Sequence, residues 1–91
     1  MRATRLRTAS GEIDIVAEKD GLLAIVEVKA RPLLSDAAAA LTARQRARLF
    51  AAAEIVLAEH QDWGANGVRF DVIVVDAAGA VRRIADAFRG E

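Results

Sequence analysis

The sequence predicts an α/β fold in which one helix connects two parts of a mixed β-sheet. Three observations indicate this class. Residues 12–19 alternate charged and apolar side chains, Asp20-Gly21 is a turn signal, and residues 22–29 follow as the return strand, which together predict a β-hairpin. Residues 42–60 repeat apolar side chains at helical spacing. Residues 68–76 are rich in β-branched side chains, which is typical of a strand buried in a parallel sheet.

Length and composition limit the class of protein. A chain of 91 residues has the size of one domain, so residues 1–91 are expected to form a single domain. Thirteen basic and thirteen acidic residues cancel, which argues against a strongly electrostatic nucleic-acid binder but permits local basic patches. The absence of cysteine excludes disulfides and thiolate metal sites. With no recognisable signal peptide or membrane-spanning run, we expect a cytoplasmic protein without a membrane partner.

The remaining elements can be assigned in chain order. Residues 1–8 are predicted to form an edge strand, and the main helix to run from Thr42 to His60, because Thr42 and Gln45 have the spacing of a capping box. A short helical turn is predicted at 37–40. The sheet-facing stripe of the main helix is predicted to be Arg46, Leu49, Phe50, Ala53, Leu57 and His60.

The second half of the chain should complete the sheet. After the crossover helix, residues 68–76 are predicted to pair parallel to the second hairpin strand. Residues 81–84 should add a short edge strand, and Phe88 should pack against the sheet. The predicted sheet is therefore a three-stranded antiparallel meander, then a parallel strand, then a short edge strand.

The hairpin register places like charges opposite each other. With Asp20 and Gly21 as the turn, Asp14 faces Glu27, and Glu12 faces Lys29. One face is then wholly apolar and is expected to be the core face: Ile13, Ile15, Ala17, Ala24, Val26 and Val28. The other face carries the charged cluster at one end and three apolar residues at the other: Val16, Leu23 and Ile25. We expect the cluster to lie at the mouth of this partly covered face.

The pairing of Asp14 with Glu27 leaves two interpretations open. Opposed like charges destabilise a sheet, and a divalent cation between the two carboxylates would relieve the repulsion. Lys29 would then orient water or stabilise developing charge during metal-assisted hydrolysis of a phosphodiester. Alternatively, the cluster is a solvated strand end in which Lys29 forms salt bridges with Glu12 and Glu27. The spacing alone favours neither interpretation.

The same residues resemble a known signature. Asp14, followed on the next strand by Glu27-Val28-Lys29, resembles the PD-(D/E)xK nuclease signature. More narrowly, residues 11–17 and 25–31 resemble the YraN-like family of predicted endonucleases, which is similar in fold to archaeal Holliday-junction resolvases. The resemblance continues through three later segments: 41–45, 69–72 and 84–88. It implies a restriction-endonuclease-like fold.

The resemblance also implies roles for individual residues. Asp14, Glu27 and the Val28 carbonyl would bind Mg²⁺ or Mn²⁺, and Lys29 would be the catalytic lysine. The expected supporting residues are Glu12, Gln45 and Arg46; the last two align with a Lys-Gln pair of the family, so the glutamine lies one place early. The residues expected to contact nucleic acid are Arg31, Arg44 and Arg48, with an ordinary solvated surface as the alternative.

These observations lead to one main functional hypothesis and two alternatives. The first is a divalent-metal-dependent endonuclease acting on structured or branched DNA. The alternatives are a non-catalytic nucleic-acid-binding module and a protein-interaction module that keep the nuclease fold. Members of the resembled family carry an N-terminal helix with a glutamate near the active site, and this chain lacks that helix. We therefore expect one under-covered sheet face, which a homodimer would cover.

Overall fold

The computed structural model describes residues 2–33 and 41–88, with the backbone alone over 85–88. This part of the chain forms one sheet with the strand order β1-β2-β3-β4-β5 and one helix, α1. The elements are β1 Ala3–Thr8, β2 Gly11–Lys19, β3 Leu22–Ala30, α1 Ala43–Glu59, β4 Gly67–Val75 and β5 Val81–Phe88. The predicted α/β class with a mixed sheet is confirmed, and the architecture is consistent with a restriction-endonuclease-like fold.

The β2–β3 hairpin has the predicted turn and register. Asp20 and Gly21 have φ values of 54° and 79°, as a turn with two left-handed central residues requires. The antiparallel ladder runs from Ile15 opposite Val26 to Lys19 opposite Leu22. Asp14 and Glu27 lie one position beyond this ladder, so the hairpin brings them to the same place at its open end.

The strands on the other side of β3 complete the sheet. β3 and β4 are parallel along their whole length, from Leu22 opposite Gly67 to Ala30 opposite Val75, which confirms the predicted crossover. β5 is antiparallel to β4 and longer than predicted, because pairing resumes after an irregularity between Phe70 and Val72 and continues to Phe88. The helical turn predicted at 37–40 and the packing of the Phe88 side chain lie outside the described residues.

The helix begins where its capping signal predicts. The Thr42 hydroxyl accepts a hydrogen bond from the Gln45 N–H at 3.1 Å, and the Gln45 side chain accepts one from the Thr42 N–H at 2.8 Å. These two bonds satisfy amide groups that a helix start otherwise leaves unpaired. The buried stripe of α1 is rotated about the helix axis relative to the predicted stripe. It consists of Leu49, Ala52, Ala53 and Val56. No helix in the described ranges has the length and hydropathy needed to cross a bilayer.

The helix covers the sheet face opposite to the predicted core face. Val16, Leu23 and Ile25 are at most 1% exposed and pack with the buried stripe of α1, so the face predicted to be partly covered is the core face. The prediction was wrong because both faces of the hairpin carry apolar residues, and strand alternation does not specify which face a helix will cover. Ile13, which belongs to the predicted core face, is also buried in this core.

The other sheet face is open in the described part of the chain. Most of the residues predicted to form the core line a groove of about 660 Å³ on this face, and no residue of α1 contributes to its walls. The residues lining the floor of the groove are Ile15, Ala17, Leu22, Ala24, Val26 and Ile73. Arg69 and Arg83 lie at its side. The homodimer expected to cover an exposed face stays a prediction.

Candidate functional site

The open end of the hairpin brings two acidic side chains together. Asp14 Oδ2 accepts a hydrogen bond of 2.8 Å from the Val28 N–H, which fixes the Asp14 carboxyl against β3. The Glu27 side chain shares the face of Ile25, on the helix side of the sheet, and Glu27 is only 5% exposed. The two carboxyl groups lie close enough for each to change the pKa of the other. The predicted pair of Asp14 and Glu27 is therefore present in the fold.

Glu27 is the more strongly perturbed acid. Burial raises the pKa of Glu27, and the hydrogen bond and negative charge of Asp14 raise it further. The positive charges of Lys29 and Arg48 oppose this change, and the resulting pKa is about 7. Near neutral pH, Glu27 is therefore divided between its protonated and ionised forms.

Asp14 changes in the opposite direction. Burial alone would raise the pKa of Asp14, but the hydrogen bond with Glu27, the Val28 N–H and the charges of Lys29 and Arg48 together lower it. The pKa of Asp14 is therefore lowered while the pKa of Glu27 is raised. Two neighbouring acids whose pKa values change in opposite directions are typical of a site that binds a cation or transfers a proton.

The guanidinium group of Arg48 enters this site from α1. Its Nη2 donates a hydrogen bond of 3.2 Å to Glu27 Oε2, and its Nη1 donates one of 3.0 Å to the Glu12 carbonyl. Arg48 was predicted to lie on a nucleic-acid-binding surface, and sequence analysis missed its contact with Glu27. The available signal was its spacing, because Arg48 precedes the buried residues Ala52 and Val56 by one and two turns.

A glycine in β2 leaves the space that Arg48 uses. Gly11 has a φ of 124°, and a Cβ atom at this position would lie 2.5 Å from Arg48 Nη1. Such a distance is far inside van der Waals contact, so any other residue at this position would displace the guanidinium group. Gly11 was noted in the sequence only as part of the hairpin motif.

The salt bridges predicted for Lys29 do not form in the described residues. Instead, Glu12 Oε2 lies 3.9 Å from Arg7 Nε, and Glu27 Oε2 lies 3.2 Å from Arg48 Nη2. Lys29 is half-buried and follows Glu27 by two residues on β3, so its ammonium group lies on the same side of the strand. The interpretation as a lysine-centred salt-bridge network is therefore wrong in the form in which it was predicted.

The other predicted residues contact their own surroundings. Gln45 belongs to the capping box, and Arg46 Nη1 donates a hydrogen bond of 3.3 Å to the Leu41 carbonyl. Arg44 is exposed on α1, and Arg31 Nη1 donates a hydrogen bond of 2.7 Å to the Ala30 carbonyl. Of the basic residues on α1, Arg48 is therefore the one that reaches the carboxyl pair. The supporting and DNA-binding roles of these residues stay predictions.

The donor set at the carboxyl pair fits a small hard cation. Asp14 and Glu27 offer carboxylate oxygens, and the negative charge of Asp14 raises the pKa of Glu27, so a positive charge between them would be favourable. In the described part of the chain, no group of three or more acidic, histidine or cysteine side chains surrounds a single point. Mg²⁺ and Mn²⁺ remain suitable, because Mg²⁺ keeps several waters and is commonly held by one or two carboxylates together with substrate phosphate.

Comparison with known proteins identifies the family. A family model for the uncharacterised protein family UPF0102 matches residues 1–75. The chain belongs to this family. The resemblance to the YraN-like family is thereby confirmed at the level of family membership, because that name and UPF0102 describe the same group.

Relatives of this UPF0102 chain come from several bacteria. A UPF0102 protein of Granulibacter bethesdensis is 73% identical over 85 residues, which are 93% of this chain and 54% of that protein. One of Azorhizobium caulinodans is 45% identical over 98% of this chain and 68% of its own length, and one of Acidiphilium cryptum is 49% identical over 98% and 69%. The chain thus spans about half the length of the Granulibacter relative.

Proposed function

We propose that this chain is a divalent-metal-dependent endonuclease domain that hydrolyses phosphodiester bonds in DNA. The observation that carries the proposal is the pair Asp14 and Glu27, which meet at the hairpin end with Lys29 two residues beyond Glu27. The two carboxyl groups shift each other's pKa, and a cation between them would interact favourably with both. Within the PD-(D/E)xK signature that the sequence resembles, these are the residues that bind the metal and act on the phosphate.

The residues divide the chemistry among them. Asp14 and Glu27, with the Val28 carbonyl, would hold Mg²⁺ or Mn²⁺, which supplies Lewis-acid activation of the phosphoryl group and of a bound water. The Val28 N–H keeps the Asp14 carboxylate in place. Lys29 would orient the attacking water or stabilise the negative charge that develops on the phosphate. Structured or branched DNA is the proposed substrate, supported by the resemblance to the fold of Holliday-junction resolvases.

A second candidate is a nucleic-acid-binding module without catalysis. One observation favours it over a catalytic role. The described part of the chain holds two rather than three acids at the proposed centre. This candidate predicts salt-sensitive DNA binding that does not change when Mn²⁺ is added. Cleavage that depends on Mn²⁺ would rule it out.

The decisive test is a cleavage assay with matched variants. Labelled four-way junctions and linear duplexes are incubated with the wild-type protein and Mn²⁺ or Mg²⁺. We expect Asp14→Asn and Lys29→Met to lower the cleavage rate by at least about a hundredfold, because each removes a group that acts in the transition state. The controls Asp20→Asn and Lys19→Met make the same chemical changes at exposed positions of the same hairpin and should leave the rate unchanged.

The controls also guard against a contaminating nuclease. Cleavage that persists equally in wild type and Asp14→Asn would contradict the proposal. Salt-sensitive binding to DNA without cleavage, in a wild-type protein that binds Mn²⁺, would support the non-catalytic module instead.

A further inference from the structure

The contact between Arg48 and Glu27 is not used by the proposed reaction, yet it lies at its centre. The guanidinium group is held at two points. Nη1 is anchored on the Glu12 carbonyl at 3.0 Å, and Nη2 reaches Glu27 Oε2 at 3.2 Å. Gly11 provides the space that this placement needs. The arrangement is therefore built by three elements, β2, β3 and α1, and is more than an incidental surface contact.

The two hydrogen bonds of the Arg48 guanidinium group differ in strength. Charge-assisted hydrogen bonds between a guanidinium group and a carboxylate are ordinarily about 2.7–2.9 Å long, so the 3.2 Å bond to Glu27 is a weak one. The bond to the neutral Glu12 carbonyl has an ordinary length. Arg48 can therefore release Glu27 and remain attached to β2. Such a group exchanges readily with another cation at the carboxylate.

We propose that Arg48 is a positioning residue that occupies the place of the metal ion at Glu27 and yields this carboxylate when the ion binds. The inference rests on the metal site of the proposed function. Before the ion arrives, Arg48 supplies part of the positive charge that Asp14 and Glu27 require. After the ion arrives, its fixed charge stays nearby on the Glu12 carbonyl and repels the ion. Arg48 therefore stabilises the metal-free protein and weakens metal binding.

The opposite signs of these two effects distinguish this role from a purely structural one. A residue that only supported the fold would lower stability when replaced and would weaken metal binding as well, because the ligands would lose their positions. Removing the charge of Arg48 should instead lower the metal-free Tm and tighten the binding of Mn²⁺. Arg48→Gln is the suitable variant, since it removes the charge and keeps a polar side chain at this position.

The experiment measures Mn²⁺ affinity by calorimetry, together with metal-free Tm, for wild type, Arg48→Gln, Arg44→Gln and Asp14→Asn. We expect Arg48→Gln to lower the Kd for Mn²⁺ about tenfold and also to lower the metal-free Tm. Arg44→Gln removes the same charge from an exposed position one turn earlier on α1 and should match wild type in both. Asp14→Asn should abolish binding.

The outcomes separate the inference from the proposed function. If wild type and Arg48→Gln bind Mn²⁺ equally, or the variant binds more weakly, while Asp14→Asn does not bind, the metal site stands and the role of Arg48 is overturned. If neither wild type nor Arg48→Gln binds Mn²⁺, the metal site and the inference both fail. If Arg48→Gln binds Mn²⁺ and wild type does not, the inference is supported, because Arg48 then excludes the ion from the wild-type site.

A second measurement needs no variant and remains available if Arg48→Gln fails to fold. The side-chain N–H signals of arginine are followed by NMR while Mg²⁺ is added to the wild-type protein. We expect the Arg48 signals to shift as its bond to Glu27 is lost, and the Arg44 signals to stay unchanged. Arg48 signals that remain unchanged at saturating Mg²⁺ would overturn the inference.

Discussion

Two buried acids on neighbouring strands have unlike surroundings. Glu27 on β3 is 5% exposed and Asp71 on β4 is 1% exposed, and they are the buried acidic residues of the described part of the chain. They lie on opposite faces of the sheet, because Asp71 pairs with Val26. Asp71 Oδ2 contacts Arg83 at 2.7 Å and Arg69 at 3.3 Å. Glu27 contacts another acid and a single arginine at 3.2 Å.

The difference separates an acid whose charge is compensated within the fold from one that the proposed metal site would use. Asp71 has two positive partners from its own sheet. Glu27 contacts one arginine, and the negative charge of Asp14 raises its pKa. An acid whose negative charge is only partly compensated within the fold gains more free energy when it binds a cation. Burial alone would have ranked Asp71 first, and the nature of the partners reverses that order.

The largest expected effect on stability comes from neutralising Asp71, the acid whose charge is compensated within the fold. Asp71→Asn should lower the free energy of unfolding by about 2–3 kcal/mol, because the buried carboxylate loses its charge-assisted contacts with Arg83 and Arg69. Urea denaturation measures the change. The control Asp20→Asn alters the same side chain at the exposed hairpin turn and should have little effect. A loss below about 1 kcal/mol would show that Asp71 is not held as this comparison requires.

A smaller effect is expected from the pH dependence of the metal-free protein. The pKa of Glu27 is raised to about 7 in the fold, above its value in the unfolded chain, so the folded protein binds more protons. Its contribution to stability is complete below the unfolded pKa and is lost as the pH rises through 7. Stability should therefore fall between pH 5 and 8 by on the order of 1–3 kcal/mol, as denaturation in a pH series would measure.

The control for this pH series is Glu27→Gln, which should flatten the decrease. The difference between the two proteins isolates the contribution of Glu27. The lowered pKa of Asp14 contributes stability that is lost only in more acidic solution, so it does not affect this window. Parallel curves for wild type and Glu27→Gln would contradict the raised pKa of Glu27.

The smallest effect is a gain in stability when the uncompensated acid is neutralised. At pH 8 without metal, Glu27→Gln should raise the free energy of unfolding by on the order of 1 kcal/mol, because an amide does not repel Asp14. The same variant should lose the stabilisation that Mn²⁺ gives to wild type by binding the folded state. Thermal unfolding with and without Mn²⁺ measures both. A loss of metal-free stability at pH 8 would mean that Glu27 resembles Asp71 and serves mainly as a structural partner.

Local rules account for what the sequence predicted correctly. The turn at Asp20-Gly21 fixed the hairpin register, and with it the meeting of Asp14 and Glu27, because both depend on residues close in the chain. The capping box fixed the start of α1 for the same reason. Each of these features is determined by side chains within a few residues of the backbone that they shape.

The features that sequence analysis missed depend on how distant elements meet. The side of the sheet that α1 covers follows from the whole core, and the residues of β2 and β3 fit either choice. The approach of Arg48 to Glu27 requires the rotation of α1 about its axis and the free space above Gly11. Neither quantity can be obtained from the spacing of residues within a single element.

The separation in sequence of the groups at this site has a consequence for the order of folding. Asp14 and Glu27 belong to one hairpin, and hairpins form in about 1–10 μs from local contacts. Arg48 is 21 residues beyond Glu27 and arrives with α1, whose place depends on slower, long-range packing. We therefore expect the acidic pair to assemble before its arginine. Protonation of one carboxyl group would reduce the repulsion between the two strands during that interval, so we expect this hairpin to form faster in mildly acidic solution.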